Sequence, residues 1–216
     1  MQRRDSVYKG KVSSDMYTRN LTLEEALWVY EAYVPQHFAR NEVKPIKNVK
    51  RMWNEGGYSC IGFFENEEAS LKDITGYAFM SRNINIEHPK TVLLDYLALR
   101  HEYRGRGYGS ELLKLLANQK DADYKAVLIE TEDLDYAAND KERAERIRRD
   151  AFYTRGGVIK TNVKTLVYRA RYANWYLPLG DTVLTDEEEL EEITKIYDYM
   201  IPEGKRNLYF EGVIRK

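Results

Sequence analysis

The 216-residue chain holds a single cysteine, Cys60, which removes any internal disulfide framework and any cysteine-rich metal site. Cys60 lies in the apolar run Tyr58-Ser-Cys-Ile-Gly-Phe-Phe64 and reads as a buried structural thiol rather than a nucleophile. Histidine is almost as scarce: His37, His88 and His101 are scattered without paired metal spacing, so no metal is expected. No apolar run is long enough to span a bilayer, and Met-Gln-Arg-Arg-Asp at the start leads into none of signal-peptide length; a soluble, cytoplasmic protein with no membrane partner is expected. Neither sign of charge prevails. Thirty-four basic against 35 acidic side chains argue against nucleic-acid binding through bulk charge, although a local patch could still act. Internal repeats and low-complexity segments are also missing.

What is present is enough hydrophobic sequence, 43%, for one large α/β domain with or without an appendage. Residues 1–15 are polar and are expected to lack order. Thr22-Leu-Glu-Glu25 fits a capping box, followed by apolar residues at helical spacing up to Pro35. A shorter helix is predicted over Ile46 to Asn54, then strands near Tyr58–Phe64, Ile74–Ser81 and Thr91–Leu99. After a glycine loop come a leucine-rich helix, a strand at Ala126–Glu130, an arginine-rich helix from Asp140 to Arg155, and candidate final strands at Val158–Thr161 and Lys164–Arg171. The main domain is placed at 16–172 and a C-terminal extension at 173–216. In the extension Thr185-Asp-Glu-Glu188 caps a helix over about 186–200, and 207–214 could add an edge strand. The helix's apolar stripe could pack on its own domain, close a cleft or form a homodimer seam, with packing in cis as the default.

The most informative stretch is the strand Leu-Asp-Tyr-Leu-Ala-Leu99 followed by His101-Glu-Tyr-Arg-Gly-Arg-Gly-Tyr-Gly109 and a helix. Gly105, Gly107 and Gly109 clear side chains from a loop that ends at a helix N-terminus. Bare amides and the helix dipole converge there into an anion site suited to a phosphate or pyrophosphate. No Gly-Lys-Ser/Thr follows, so it is not a Walker loop, and the alternate spacing is not G-x-G-x-x-G.

Arg104-Gly-Arg-Gly107-Tyr-Gly109 resembles the Arg/Gln-x-x-Gly-x-Gly/Ala motif of the GNAT superfamily of N-acetyltransferases. Phe152-Tyr153-Thr-Arg155-Gly-Gly157 is similar to a second signature of that family, downstream in the right order with a strand between. The resemblance covers roughly Met16 to Arg171. It implies a mixed α/β (α+β) fold: a mostly antiparallel central sheet with one parallel, splayed strand pair, flanked by helices, here with the C-terminal helical extension added. It implies acetyl-CoA, or another acyl-CoA, as donor. The loop amides from Arg104 through Gly105, Arg106, Gly107 and Tyr108 to Gly109 would hold the pyrophosphate, with Ser110 at the end of the cradle. The pantetheine arm would run beside Leu97, Ala98 and Leu99, and the Leu97 amide would polarise the thioester carbonyl.

Acyl transfer to an amine requires a base for the ammonium proton and benefits from an acid for the leaving thiolate. Tyr153 stands where the family commonly places a tyrosine near the CoA sulfur and is the candidate acid; as a phenol it is protonated at neutral pH. Asp95 is the candidate base, a lone carboxylate in an apolar strand whose alternation puts it on the face of Leu93 and Leu97. A structural carboxylate is the competing reading of Asp95. The family often has a glutamate on this strand, where this chain has Leu93. Glu130, Glu132, Asp133 and Asp135 leave the next strand together and read as a solvated strand end that could also draw in a cationic amine. Arg146 and Arg149 align where the family often carries an asparagine and an alanine, and interspersed acids make intrahelical ion pairs the simplest account of that helix. The expected activity is acetyl transfer from acetyl-CoA to a small-molecule or peptide primary amine, by direct attack in a ternary complex. A non-catalytic acyl-CoA-binding protein is the alternative.

Overall fold

The computed structural model describes residues 10–12, 16–87, 90–118 and 124–215. Among these, nine strands form one sheet in the order β1-β2-β3-β4-β5-β6-β8-β7-β9. The strands are β1 (Gly10–Val12), β2 (Met16–Asn20), β3 (Tyr58–Phe64), β4 (Gly76–Ser81), β5 (Thr91–Leu99), β6 (Ala126–Glu132), β7 (Ile159–Val167), β8 (Ala170–Pro178) and β9 (Phe210–Ile214). Only β5 and β6 run parallel; every other neighbouring pair is antiparallel. The parallel step needs a crossover, and α3 (Tyr108–Ala117) supplies it. The sheet is therefore the mixed, mostly antiparallel one that the resemblance implies.

Helices α1 (Leu23–His37), α2 (Ile46–Asn54) and α5 (Asp186–Met200) cover one face of the sheet, while α3 and α4 (Asp140–Arg155) cover the other. Strand alternation divides the core accordingly. Tyr58, Phe79, Leu93, Tyr96 and Leu128 meet α1, α2 and α5; Leu94, Val127, Ile129 and Trp175 meet the leucines of α3 and Tyr153 of α4. A short turn of helix, α6 (Arg206–Tyr209), leads into β9.

The capping box forms at both predicted places. Thr22 Oγ1 accepts from the Glu25 amide while the Glu25 carboxylate takes the Thr22 amide, and Thr185 and Glu188 repeat the exchange. Helix α1 passes through Pro35 and ends at His37, so proline in the last turn did not stop it. Gly57 is required where α5 meets the sheet, because a Cβ there would lie 2.3 Å from the Tyr199 hydroxyl.

Three boundaries differ from those expected. Gly10–Val12 pair with β2 as an edge strand, inside the N-terminal segment expected to lack order; residues 1–9 and 13–15, like His88, lie outside the described residues. The strand expected at Lys164–Arg171 is cut by a hairpin turn at Tyr168 and Arg169, which have φ of 53° and 116°. No glycine or asparagine marks that turn, so the sequence shows no break there. The expected domain boundary at 172/173 falls inside β8, which pairs with β6 from Tyr172 to Pro178. The C-terminal stretch returns to the same sheet through β9 against β7.

Candidate functional site

The parallel strands β5 and β6 stay together only from Thr91↔Ala126 to Leu94↔Ile129. Beyond that they part, leaving a gap between Asp95–Leu99 and Glu130–Glu132. A bulge drives the separation on the β5 side: Met80 pairs with Leu94 and Phe79 with Tyr96, so Asp95 is the extra residue. The bulge also resets the alternation. Asp95 stays on the side of Leu93, but Leu97 packs on the opposite face against the α3–α4 core, so Asp95 and Leu97 do not share a face as the sequence predicts.

Past the bulge, the Arg100 amide donates to the Thr75 carbonyl at 2.9 Å. Antiparallel alternation counted back from that bond turns the backbone groups of Ala98 and Tyr96 toward β4, and those of Leu97 and Leu99 toward the gap. Arg104 Nε takes the Leu99 carbonyl at 3.1 Å, tying the glycine loop to the end of the strand.

At the α3 end of the gap the loop is exposed and left-handed at Gly105 (φ 75°) and Gly107 (φ 86°). A Cβ built on either would meet nothing within 4 Å, so the backbone there faces open space. Gly107 is the N-cap of α3 and no side chain caps the first turn; the Ser110 amide turns back to the Gly107 carbonyl at 3.0 Å, so the Tyr108 and Gly109 amides are the ones left for a ligand. Gly109 serves packing instead, since a Cβ would lie 3.0 Å from the Phe152 ring. This cradle, the gap and the space beyond form one cleft of about 1080 Å³. Leu97, Ala98, Leu99, Arg104, Gly105, Gly107, Gly109, Ser110, Tyr153 and Asp95 all line it. The side chains of Arg106 and Tyr108 turn elsewhere, Arg106 over the Tyr103 ring and Tyr108 onto Glu65 at 2.8 Å, which leaves their backbone to the loop. Tyr153 is 8% exposed, and burial pushes its phenol up to about 12 despite the nearby Arg149.

On the other side of the gap stand two carboxylates. Asp95 and Glu130 are the first residues of β5 and β6 after the last β5–β6 pair, one at each lip of the opening. Asp95 receives the Lys44 ammonium at 2.6 Å and the Tyr58 hydroxyl. That donor pair holds it as a structural ion pair in a low-dielectric wall. Burial pulls the Lys44 ammonium down, and the Asp95 carboxylate outweighs it, so the net shift is upward. Glu130 accepts from Thr165 Oγ1 at 2.5 Å and from the Tyr197 hydroxyl of α5, one donor per oxygen. It has no ion-pair partner among the described residues, and burial raises its pKa against those two donors.

Glu130 therefore belongs to the site rather than to a solvated strand end. Its signal was the alternation that puts residue 130 on the face of buried Ala126 and Leu128. Asp133, which also read as solvated, is 2% exposed and paired with Lys164 at 2.9 Å. Lys44, Tyr58 and Tyr197 carry no sequence mark of their role. The arginines of α4 do more than pair within the helix: Arg146 joins Glu142 to Glu132 of β6, and Arg149 also reaches Glu132, at 2.9 Å. Among the described residues no group of three or more His, Cys, Asp or Glu is placed to hold a metal, and no helix is long and apolar enough to cross a membrane.

The description "Acetyltransferase (GNAT) family" belongs to the family model that matches residues 24–140. No curated protein matches the sequence. Among solved structures, a GNAT-family acetyltransferase from Bacteroides thetaiotaomicron is similar with a TM-score of 0.63 at 15% identity, over 85% of this chain and 98% of that one. A GNAT-family protein from Desulfovibrio desulfuricans gives 0.55 at 20% identity, over 76% and 99%. Spermidine N-acetyltransferase from Vibrio cholerae, solved with CoA and spermine, gives 0.54 at 9% identity, over 82% and 99%. At such identities these neighbours speak to the fold.

Proposed function

The chain belongs to the acetyltransferase (GNAT) family, and from that premise we propose that it is an N-acetyltransferase moving an acetyl group from acetyl-CoA to a primary amine by direct attack in a ternary complex. One observation carries the reading: a single cleft joins an anion cradle and Tyr153 on one face of the sheet to a carboxylate-bearing wall on the other, through the gap between β5 and β6. The residues fit the donor. Open space stands over Gly105 and Gly107, uncapped amides begin α3, and the gap-facing Leu97 backbone with the Leu99 N–H offers a strand edge to an extended amide-bearing arm, the Leu99 carbonyl being held by Arg104.

When bound, acetyl-CoA supplies the acyl group as a thioester. The loop amides between Gly105 and Gly109 would hold its pyrophosphate, since those of Arg104 and Ser110 already donate to the His101 and Gly107 carbonyls, and the Leu97 N–H would stabilise charge on the carbonyl oxygen. Glu130 takes the ammonium proton, because it is the carboxylate at the gap without a cationic partner; Asp95 holds Lys44 and steadies that wall. The amine nitrogen forms its bond to the carbonyl carbon as the carbon–sulfur bond breaks. Tyr153, still protonated well above neutral pH, gives its proton to the departing sulfur, and the second proton of the acetylated nitrogen returns to the phenolate through solvent. In this reading Glu130, by taking the ammonium proton, does the work of the glutamate that the chain lacks at Leu93, the absence that favours a non-catalytic acyl-CoA-binding protein.

The test is a thermal-shift titration with acetyl-CoA against free CoA and ATP. A ligand at 100 times its Kd adds about 2.7 kcal/mol, and each kcal/mol moves Tm by about 2–4 °C at this size. A shift with acetyl-CoA and CoA but little with ATP supports the donor half; no shift with any of them overturns it.

A further inference from the structure

The acceptor side of the cleft is built differently from the donor side, and α5 makes the difference. Arg51 of α2 donates to the Tyr199 and Met200 carbonyls, at 3.4 and 3.1 Å, where the helix's negative end lies. The Tyr199 hydroxyl reaches back to the Met52 carbonyl at 3.2 Å and the Glu55 carboxylate at 3.0 Å. This clamp fixes the last turn of α5, so Tyr197, Met200 and Ile201 form one wall of the cleft. Phe38, Tyr96 and Tyr172 face the same space, giving a surface of rings, thioether and branched carbon.

Two of the four carboxylates that line the cleft are paired with cations. Asp95 is neutralised by Lys44, and Glu132 by Arg146 and Arg149. Glu42, in the loop that also brings Lys44, accepts from the Ala39 amide and the Tyr172 hydroxyl, both at 3.2 Å, and like Glu130 has no ion-pair partner among the described residues. A chain with three or more ammonium groups would outnumber the two unpaired carboxylates, which is costly in a low-dielectric pocket. Of those two, Glu130 is the one at the gap, so the reacting ammonium is placed there.

We infer that the acceptor is a small primary monoamine on an apolar, ring-sized body, its nitrogen at Glu130 and its body against Tyr96, Tyr172, Met200 and Ile201. The inference rests on the acetyltransferase reading above. Pockets of this kind recognise by apolar fit plus a few placed polar groups, and aromatic walls favour ring-bearing ligands.

The experiment measures thiol release from acetyl-CoA by the intact chain with 2-phenylethylamine, 3-methylbutylamine, spermidine and a lysine-bearing peptide as acceptors. The expected result is a kcat/KM for 2-phenylethylamine at least about tenfold above that for spermidine, as apolar contact differences allow. Spermidine or the peptide ahead of the monoamines overturns the inference and leaves the enzyme an acetyltransferase. Acetyl-CoA binding without turnover of any amine overturns it as well, whereas absence of acetyl-CoA binding sinks the underlying reading instead. A second arm uses Met200→Ala, which enlarges the wall. The ratio of kcat/KM for 2-(1-naphthyl)ethylamine to that for 2-phenylethylamine should rise several-fold. That ratio does not depend on the fraction of variant that folds, and an unchanged value removes Met200 from the wall and overturns the placement.

Discussion

The two halves of the cleft are made from different parts of the chain. The donor half is mostly backbone, drawn from one continuous stretch between Leu97 and Ser110. The acceptor half is side chain, drawn from the α1–α2 loop, β5, β6, β8 and α5, with residues as distant as Phe38 and Ile201. Backbone cannot vary without glycine or a helix start to announce it, so the donor half leaves a local motif. Side chains converging from remote elements leave none.

Substitutions should separate the halves. The largest effect on donor binding is expected for Gly107→Val: φ is 86°, which a β-branched residue resists, and the branches would occupy the open cradle. Affinity for acetyl-CoA, read by calorimetry, should fall by more than about 100-fold, while the acceptor wall is untouched. Retained affinity would mean that the cradle lies elsewhere.

Next is Glu130→Gln, expected to lower kcat/KM by about 10²–10⁴, the usual range for a lost general base. Acetyl-CoA affinity should not change, and stability at pH 8 should hold, because a costly buried charge is gone. If the two affinities fell together, the separation of the halves would be wrong. Tyr153→Phe should lower kcat by about ten- to a hundredfold with CoA affinity kept; equal loss of both would remove its role as acid.

A smaller effect sharpens the link to α5. The Tyr197 hydroxyl favours the ionised form of Glu130, so Tyr197→Phe should raise the Glu130 pKa further. The acid limb of the kcat/KM profile then moves to higher pH, by up to about one unit. A purely structural tyrosine would lower activity without moving that limb.

The last prediction concerns stability. Glu189 on α5 is wholly buried, accepts from Thr161 and keeps one oxygen unpartnered; burial lifts its pKa from 4.5 to about 7. The native state therefore binds this proton more tightly than the unfolded chain. Its contribution is complete below about pH 4.5 and is lost as pH rises through about 7. Urea denaturation should show stability falling across that window by a few kcal/mol at most, with the slope reduced in Glu189→Gln. An unchanged slope would mean that this acid is not what couples α5 to pH.

The same contrast explains what the sequence made legible. Thr22-Leu-Glu-Glu25 and Thr185-Asp-Glu-Glu188 were readable because a capping box is complete within four residues. The mixed sheet with its parallel pair could be expected once two motifs fixed the order of the elements. The bulge at Asp95 was not visible, because an extra residue in one strand shows only against its partner. The turn at Tyr168 and Arg169 was hidden because its left-handed residues are of types that rarely adopt that backbone. Glu130 and Asp133 looked solvated from composition, yet hydroxyl and lysine donors arriving from β7 and α5 make them interior groups.

A strand with unmet amides at the rim of a sheet invites the strand of another molecule to join it. Here the open edge lies between two strands of the same sheet, walled by α3 on one face and α5 on the other. A folded neighbour cannot bring a strand into that slot, because strands come with sheets or hairpins attached. What can enter is one slender thread carrying peptide-like groups. The slot therefore works as a gauge of width and amide spacing, and it lets the middle of the sheet stay unfinished without becoming sticky.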